Sequence, residues 1–219
     1  MEEILQRQLS LAFNKAGAFV KSNEMTADQV FEYLHWTNSL ACQVAFDFGG
    51  KILRSGKLIG IDGQKTVCFD SQLPPTPSSC TIYSFGIANE WSFDKMFEAY
   101  GCQVYAFDPS MNKDDFDYTP NIHFYNLGIA HVDTDNSDGW KMRTLHSIYE
   151  MLQPKHGPVT IDYLKVDVEG YEWEIIPLLL QSGMLDIVKQ MGFELHFLSE
   201  DNDEYLCYEI AWYNTKYIQ

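Results

Sequence analysis

One stretch, Cys80 to Ser110 (CTIYSFGIANEWSFDKMFEAYGCQVYAFDPS), restricts the possible folds more than any other. Thr81 to Phe85 is a short β-branched and aromatic run closed by Gly86, which predicts a strand. Trp91, Phe93, Met96, Phe97 and Tyr100 then recur at helical spacing up to Gly101, a suitable C′ residue. Val104 to Phe107 predicts a second strand, stopped by Asp108-Pro109. Strand, helix and strand in so few residues form a βαβ unit, whose crossover is right-handed.

The same unit carries a chemical pattern. Gly86 at the first strand end lets a ligand approach the backbone closely. The helix that follows offers free N–H groups and a positive dipole end to an anionic group. Asp108 follows Gly86 by 22 positions, near the ~20 expected of an acid that accepts hydrogen bonds from a ribose diol. The pattern predicts a ligand that contains a nucleoside. A nicotinamide dinucleotide is disfavoured, because the turn Gly86-Ile87-Ala88-Asn89-Glu90-Trp91 lacks the third fingerprint glycine.

Downstream, strand and helix patterns alternate. Ile122 to Tyr125, Ile161 to Val166 and Val188 to Phe197 predict strands. Leu145, Ile148, Tyr149 and Leu152 predict a helix broken at Pro154 to Pro158. A second helix carries Trp173, Ile175, Ile176, Leu178, Leu179 and Leu180 to Gly183, with Pro177 assigned to its first turn. This alternation predicts an α/β fold, a parallel sheet with helices on both faces. Upstream, residues 1–24 are amphipathic, and Thr26 to Gln29 reads as a capping box. His35 reads as a packed side chain. Leu58 to Ile61 and Thr66 to Phe69 flank Asp62-Gly63, a hairpin signal. The proline-rich Ser71 to Ser79 is a linker, so the expected division is an N-terminal helical extension and hairpin over 1–70 and a main domain over 71–219.

Charge and cysteines limit the partners. A net charge of −16 repels nucleic-acid backbones. No apolar run approaches the ~20 residues of a membrane span, and no signal-peptide pattern opens the chain. Cys80 and Cys102 stand at matching positions ahead of neighbouring strands, which puts their Cα atoms ~4.8 Å apart and permits a disulfide. Buried free thiols are the alternative, and Cys42 with Cys68 is a second candidate pair. No CxxC, HExxH, GxSxG or P-loop pattern occurs, and no metal site is expected. Asp133-Thr134-Asp135 has the form of a metal-binding DxD but reads as an ordinary acidic loop.

The segments SFGIANEWSFD, GCQVYAFDPS, HFYNLGIA, MRTLHSIYEML and DYLKVDVEGYEWEIIPLLLQSG together resemble the FkbM-like S-adenosylmethionine-dependent methyltransferases, nearest the animal methyltransferase-like 24 group. The resemblance covers roughly residues 66–197. It implies a class I, Rossmann-like methyltransferase domain with S-adenosylmethionine as cofactor. It implies donor contacts from Gly86, Asn89, Glu90, Asp108, Pro109, Gly128 and Asp167. It places Asp167 and Glu169 at the reacting end; an oxygen acceptor needs a base, for which Glu194 and His196, on one strand face, are further candidates beside these two. Glu194 and His196 pairing with each other or with a helix end, and Glu169 capping a helix that begins at Gly170, are the structural alternatives.

This sequence departs from the group in three places. Ser84 stands where an acid often ends the first strand, and Glu90 is its expected replacement. The relatives begin with a membrane anchor, which is not legible here. They also end in an antiparallel hairpin, and YNTKYIQ gives no clear strand pair, so the expectation is a truncated chain lacking the C-terminal strand hairpin. The expected function is O-methylation of a small-molecule or glycan acceptor, with a non-catalytic binding protein of the same fold as the alternative. Localisation stays open: cysteines and relatives favour a secretory or extracellular setting, while the missing leader favours the cytosol or an incomplete N-terminus.

Overall fold

The computed structural model describes residues 42–55, 58–198 and 205–217. The amphipathic stretch over 1–24, the capping box at Thr26 to Gln29 and His35 lie outside the described residues. Residues 43–219 group as one compact unit. The linker at Ser71 to Ser79 falls inside that unit, because Phe48 and Val67 ahead of it are buried in the same cluster as Ile82 and Phe97 after it.

Seven strands build the central sheet: β1 (Thr81–Phe85), β2 (Gln103–Phe107), β3 (Phe116–Thr119), β4 (Ile122–Tyr125), β5 (Ile161–Val166), β6 (Val188–Leu198) and β7 (Tyr205–Tyr213). Their order is β7-β6-β5-β1-β2-β4-β3. The five inner strands run parallel, and β3 and β7 are antiparallel edges. Every residue of β1 and β5 is buried, as expected of parallel strands covered on both faces.

Alternate residues feed two separate cores. Tyr83, Phe85, Tyr105, Phe107, Leu164 and Val166 face one side. There they meet α2 (Leu145–His156) and α3 (Glu172–Gln181) through Leu145, Ile148, Ile175 and Leu179. Ile82, Val104, Ala106 and Tyr163 face the other side and pack on Phe93 and Phe97 of α1 (Ser92–Tyr100). The period of two in the strands thus decides which helix each side chain meets. Gly101 ends α1 in the left-handed conformation, with φ of 106°. Cys80 and Cys102 are bridged with their Cα atoms 4.7 Å apart, which ties the entrances of β1 and β2 together. Cys42 and Cys68 are disulfide-bonded too. Two disulfide-bonded pairs are compatible with an oxidising compartment. No helix among the described residues is long and apolar enough to cross a membrane.

Several expectations need correction. The tail carries a strand: β7 pairs along β6 from Tyr205 to Tyr213, so the antiparallel C-terminal hairpin is present. The Asp62-Gly63 turn does not join paired strands. Leu58–Asp62 pairs back with Lys51–Ser55, and Lys65–Cys68 pairs with Ala45–Phe48. Lys65, Val67 and Cys68 are buried while Ile52, Leu53 and Ile61 are exposed, so the two sides of the turn part company. Helix α2 continues through Pro154 to His156, because a proline in the last turn forfeits one hydrogen bond on an exposed side. Pro177 sits in the interior of α3 rather than its first turn. It lies on the exposed side of the helix, where its ring meets solvent rather than the core. The DxD is a capping device: Asp133 accepts the Thr144 N–H and the Ser147 hydroxyl at the start of α2, at 2.7 and 2.6 Å.

Candidate functional site

Chain order reverses between β1 and β5. β2 and β4 extend the sheet one way from β1, and β6 and β7 extend it the other way from β5. In a parallel sheet such a reversal leaves a crevice beyond the strand ends. A cavity of about 270 Å³ lies there. It is bordered by Gly86 after β1, Asp108 and Pro109 after β2, Gly128, Asp167 after β5, and Glu194 in β6. Phe85, Phe107, Ile129 and Met142 give it an apolar wall, and Trp140 and Tyr171 also line it.

The wall at β1 is shaped by packing between main chains. Gly86 has φ of +78°, and a Cβ there would lie 1.5 Å from the Asp167 carbonyl oxygen. Glycine is therefore required by the crossing of two strand ends, whatever else approaches it. The Gly86 N–H donates to the Phe107 carbonyl at 3.0 Å, and the Asp167 N–H to the Phe85 carbonyl at 3.2 Å. Lys165, buried in β5, donates to the Gly86 carbonyl at 2.5 Å.

Asp108 fastens this turn to β2. Its Oδ2 accepts the N–H groups of Ile87 and Ala88 at 2.9 and 2.7 Å. Its Oδ1 accepts the N–H and hydroxyl of Ser110 at 2.9 and 2.6 Å. A carboxylate has about four acceptor positions, so the protein uses all of them. A ribose diol reaches Asp108 only if the Ser110 hydroxyl rotates away. Glu90 holds the start of α1, where it accepts the Ser92 N–H and hydroxyl at 3.0 and 2.8 Å. The acid that comes to Ser84 is Asp94 in the first turn of α1, beside Lys165. Burial pushes its carboxyl up to about 6, although Lys165 and the Ser84 hydroxyl pull the other way.

Charge collects at the other end of the cavity. The ammonium of Lys65 is fully buried and lies 2.5 Å from Glu209, 3.1 Å from Glu194 and 3.7 Å from Asp167. Asp167 is also 3.5 Å from Lys165. Burial pulls the Lys65 pKa down, but these carboxylates outweigh it and hold the ammonium protonated. Burial pushes Glu209 up, against the pull of Lys65. His196 lies between carboxylates, with Nδ1 3.1 Å from Glu172 and Nε2 3.5 Å from Glu169 and 3.9 Å from Glu194. Burial pulls the imidazole down, and Glu172, Glu169 and Glu194 together lift it. Glu172 accepts the Val168 and Gly170 N–H groups, both at 2.8 Å. It therefore braces the turn into α3, which begins at Glu172, and Glu169 caps nothing there.

Gly86, Glu90, Asp108, Pro109, Gly128, Asp167 and Glu169 all border the cavity. Asn89 does not: it is exposed, and its side chain accepts from Lys113 at 2.9 Å. His196 does not border it either, but touches Glu169 and Glu194, which do. Lys65, Lys165, Glu172, Glu209 and Asp94 were not legible as site residues. Lys165 alone left a signal, a charge inside a continuous apolar strand.

A family model described as a methyltransferase domain matches residues 10–215. The chain belongs to that family. Two curated relatives, the human and rat proteins named probable methyltransferase-like protein 24, are each 28% identical over 123 residues. That match covers 53% of this chain and 32% and 33% of the relatives, so it spans about a third of their length. No solved structure matches.

Proposed function

We propose that the chain is an S-adenosylmethionine-dependent methyltransferase of class I, Rossmann-like architecture, related to the FkbM-like enzymes, that methylates a hydroxyl of a small-molecule or glycan acceptor. The observation that carries this reading is the cavity at the strand reversal, bordered at once by Gly86, Asp108, Gly128 and Asp167. The residues fit the donor: an apolar wall with Phe107 and Ile129 suits the adenine, and the carboxylates of Asp167, Glu169 and Glu194 suit a cationic sulfonium. Bound there, the donor supplies a methyl group already activated for in-line displacement.

The chain's own residues position and deprotonate. Ile87, Ala88 and Ser110, fixed by Asp108, frame the ribose end. Asp167, held between Lys65 and Lys165, orients the reacting end. Glu194 and Glu169 are placed to take the proton from an acceptor hydroxyl, with His196 beside them to orient the two carboxylates. A second reading, a non-catalytic binding protein, is favoured by the full occupation of Asp108.

Calorimetric titration with S-adenosylmethionine, its demethylated product and NADH separates the readings. Micromolar binding of the first two, with NADH silent, supports the methyltransferase. Asp108→Asn, its fold checked by melting, is expected to weaken donor binding by about 1–3 kcal/mol. Folded protein that binds none of the three leaves the second reading.

A further inference from the structure

We propose a divalent-cation site formed by His196 Nε2 with the carboxylates of Asp167, Glu169 and Glu194, suited to a first-row transition metal. The carboxylates alone would say little, and the argument starts from the imidazole. His196 is 8% exposed. Its Nδ1 faces Glu172, a carboxylate with no exposed side chain that is itself anchored by two backbone N–H groups. An acceptor at Nδ1 keeps the proton there and leaves the Nε2 lone pair pointing outward. Among the described residues Nε2 makes no hydrogen bond, and it faces Glu169 Oε2 and Glu194 Oε1 at 3.5 and 3.9 Å. A lone pair aimed at carboxylate oxygens is repulsive unless a proton or a cation lies between them.

Net charge points the same way. Asp167, Glu194 and Glu209 converge on the ammonium of Lys65, and Asp167 also on that of Lys165, while Glu169 and Glu172 face His196, so five carboxylates share two ammonium groups and one imidazole and the cluster retains an excess of negative charge. One protonated imidazole does not cancel it. Ligand atoms of Asp167, Glu169 and His196 lie within 4.8 Å of one another, as do those of Glu194, His196 and Cys207. Small side-chain movements would bring such atoms onto one ion, since ligands about 2 Å from a metal are themselves ~3–4 Å apart. A neutral imidazole braced by an anchored carboxylate is the usual outer support of a metal-bound histidine. Mixed imidazole and carboxylate donors favour manganese, cobalt or zinc over magnesium or calcium.

Cation binding here does not depend on the methyl donor. Only its use does, which rests on the proposed function: at the acceptor end an ion would bind the acceptor hydroxyl and lower its pKa.

The test is titration of the whole chain with Co²⁺, Mn²⁺ and Zn²⁺ in the absence of donor. Co²⁺ absorption and the melting temperature are the readouts, with Mg²⁺ as the weak comparison. Micromolar Co²⁺ binding with ligand-field bands is expected. Glu169→Gln, whose side chain is exposed and whose ion pair among the described residues is with His196, should weaken it by about tenfold or more, and His196→Gln by at least as much. Cys207→Ser should retain the site. No binding at millimolar metal, or binding lost in Cys207→Ser and kept in Glu169→Gln, overturns the proposal.

Discussion

Gly86→Ala tests why glycine stands at the end of β1. The new methyl carbon would lie 1.5 Å from the Asp167 carbonyl oxygen, roughly 2 Å short of an ordinary C···O contact of ~3.3–3.6 Å. Neither neighbour is free to move. The Gly86 N–H is bonded to Phe107, the Asp167 N–H to Phe85, and the Gly86 carbonyl to Lys165. A left-handed φ costs an L-residue about 1–2 kcal/mol. Forcing a methyl into packed main chain costs about 1–3 kcal/mol more. Reduced freedom of the unfolded chain returns up to ~1 kcal/mol. The expected net loss is about 3 kcal/mol, or a fall in melting temperature of roughly 6–12 °C for a domain of this size. Denaturant unfolding of both proteins, with equal m-values, is the assay. A variant within ~0.5 kcal/mol of wild type that has nonetheless lost donor binding would refute the packing argument and return Gly86 to the role of a ligand contact.

Asp94 should make stability fall with rising pH. Its folded pKa is raised to about 6, so the folded state holds a proton that the unfolded chain releases above about pH 4. Its contribution therefore declines across that window and stays lost above it, by about 2–3 kcal/mol. Asp94→Asn should flatten this part of the curve, and an unchanged profile by melting at pH 4 to 7 would contradict it. Lys65→Met leaves Asp167, Glu194 and Glu209 facing one another without their shared cation. A loss of about 3 kcal/mol is expected, the low end for a broken buried pair because Glu209 reaches solvent; a neutral result in denaturant unfolding would show that these carboxylates are already protonated. Replacing both Cys80 and Cys102 by Ala opens a ring with a sequence separation of 22 and should cost about 3 kcal/mol, read as a lower melting temperature than wild type without reductant; equal melting would contradict it.

The five parallel strands are legible as apolar runs, and the first two of them, Thr81 to Phe85 and Val104 to Phe107, are cut off by a glycine and by an Asp-Pro. The ribose-type carboxylate was found by spacing alone, yet spacing could not reveal that Asp108 spends its acceptors on Ile87, Ala88 and Ser110. Lys65 is invisible in the sequence because its three partners come from the turn after β5, from β6 and from β7, and only the folded sheet brings them together. Its own strand, Lys65–Cys68, was paired across the wrong turn, which hid the burial. Glu172 was passed over for Glu169 because both lie near a helix start, and only the observed beginning of α3 decides between them. The strand at Tyr205 to Tyr213 is hidden in the sequence because a polar ending, YNTKYIQ, follows its aromatic run.

A crystal structure of the chain soaked in S-adenosylhomocysteine measures the matter most directly. Density is expected in the crevice between β1 and β5, with the sugar beside Ser110, the adenine against Phe107 and Ile129, and the sulfur toward Asp167. An empty crevice at saturating ligand, or ligand ordered elsewhere on the molecule, would contradict it.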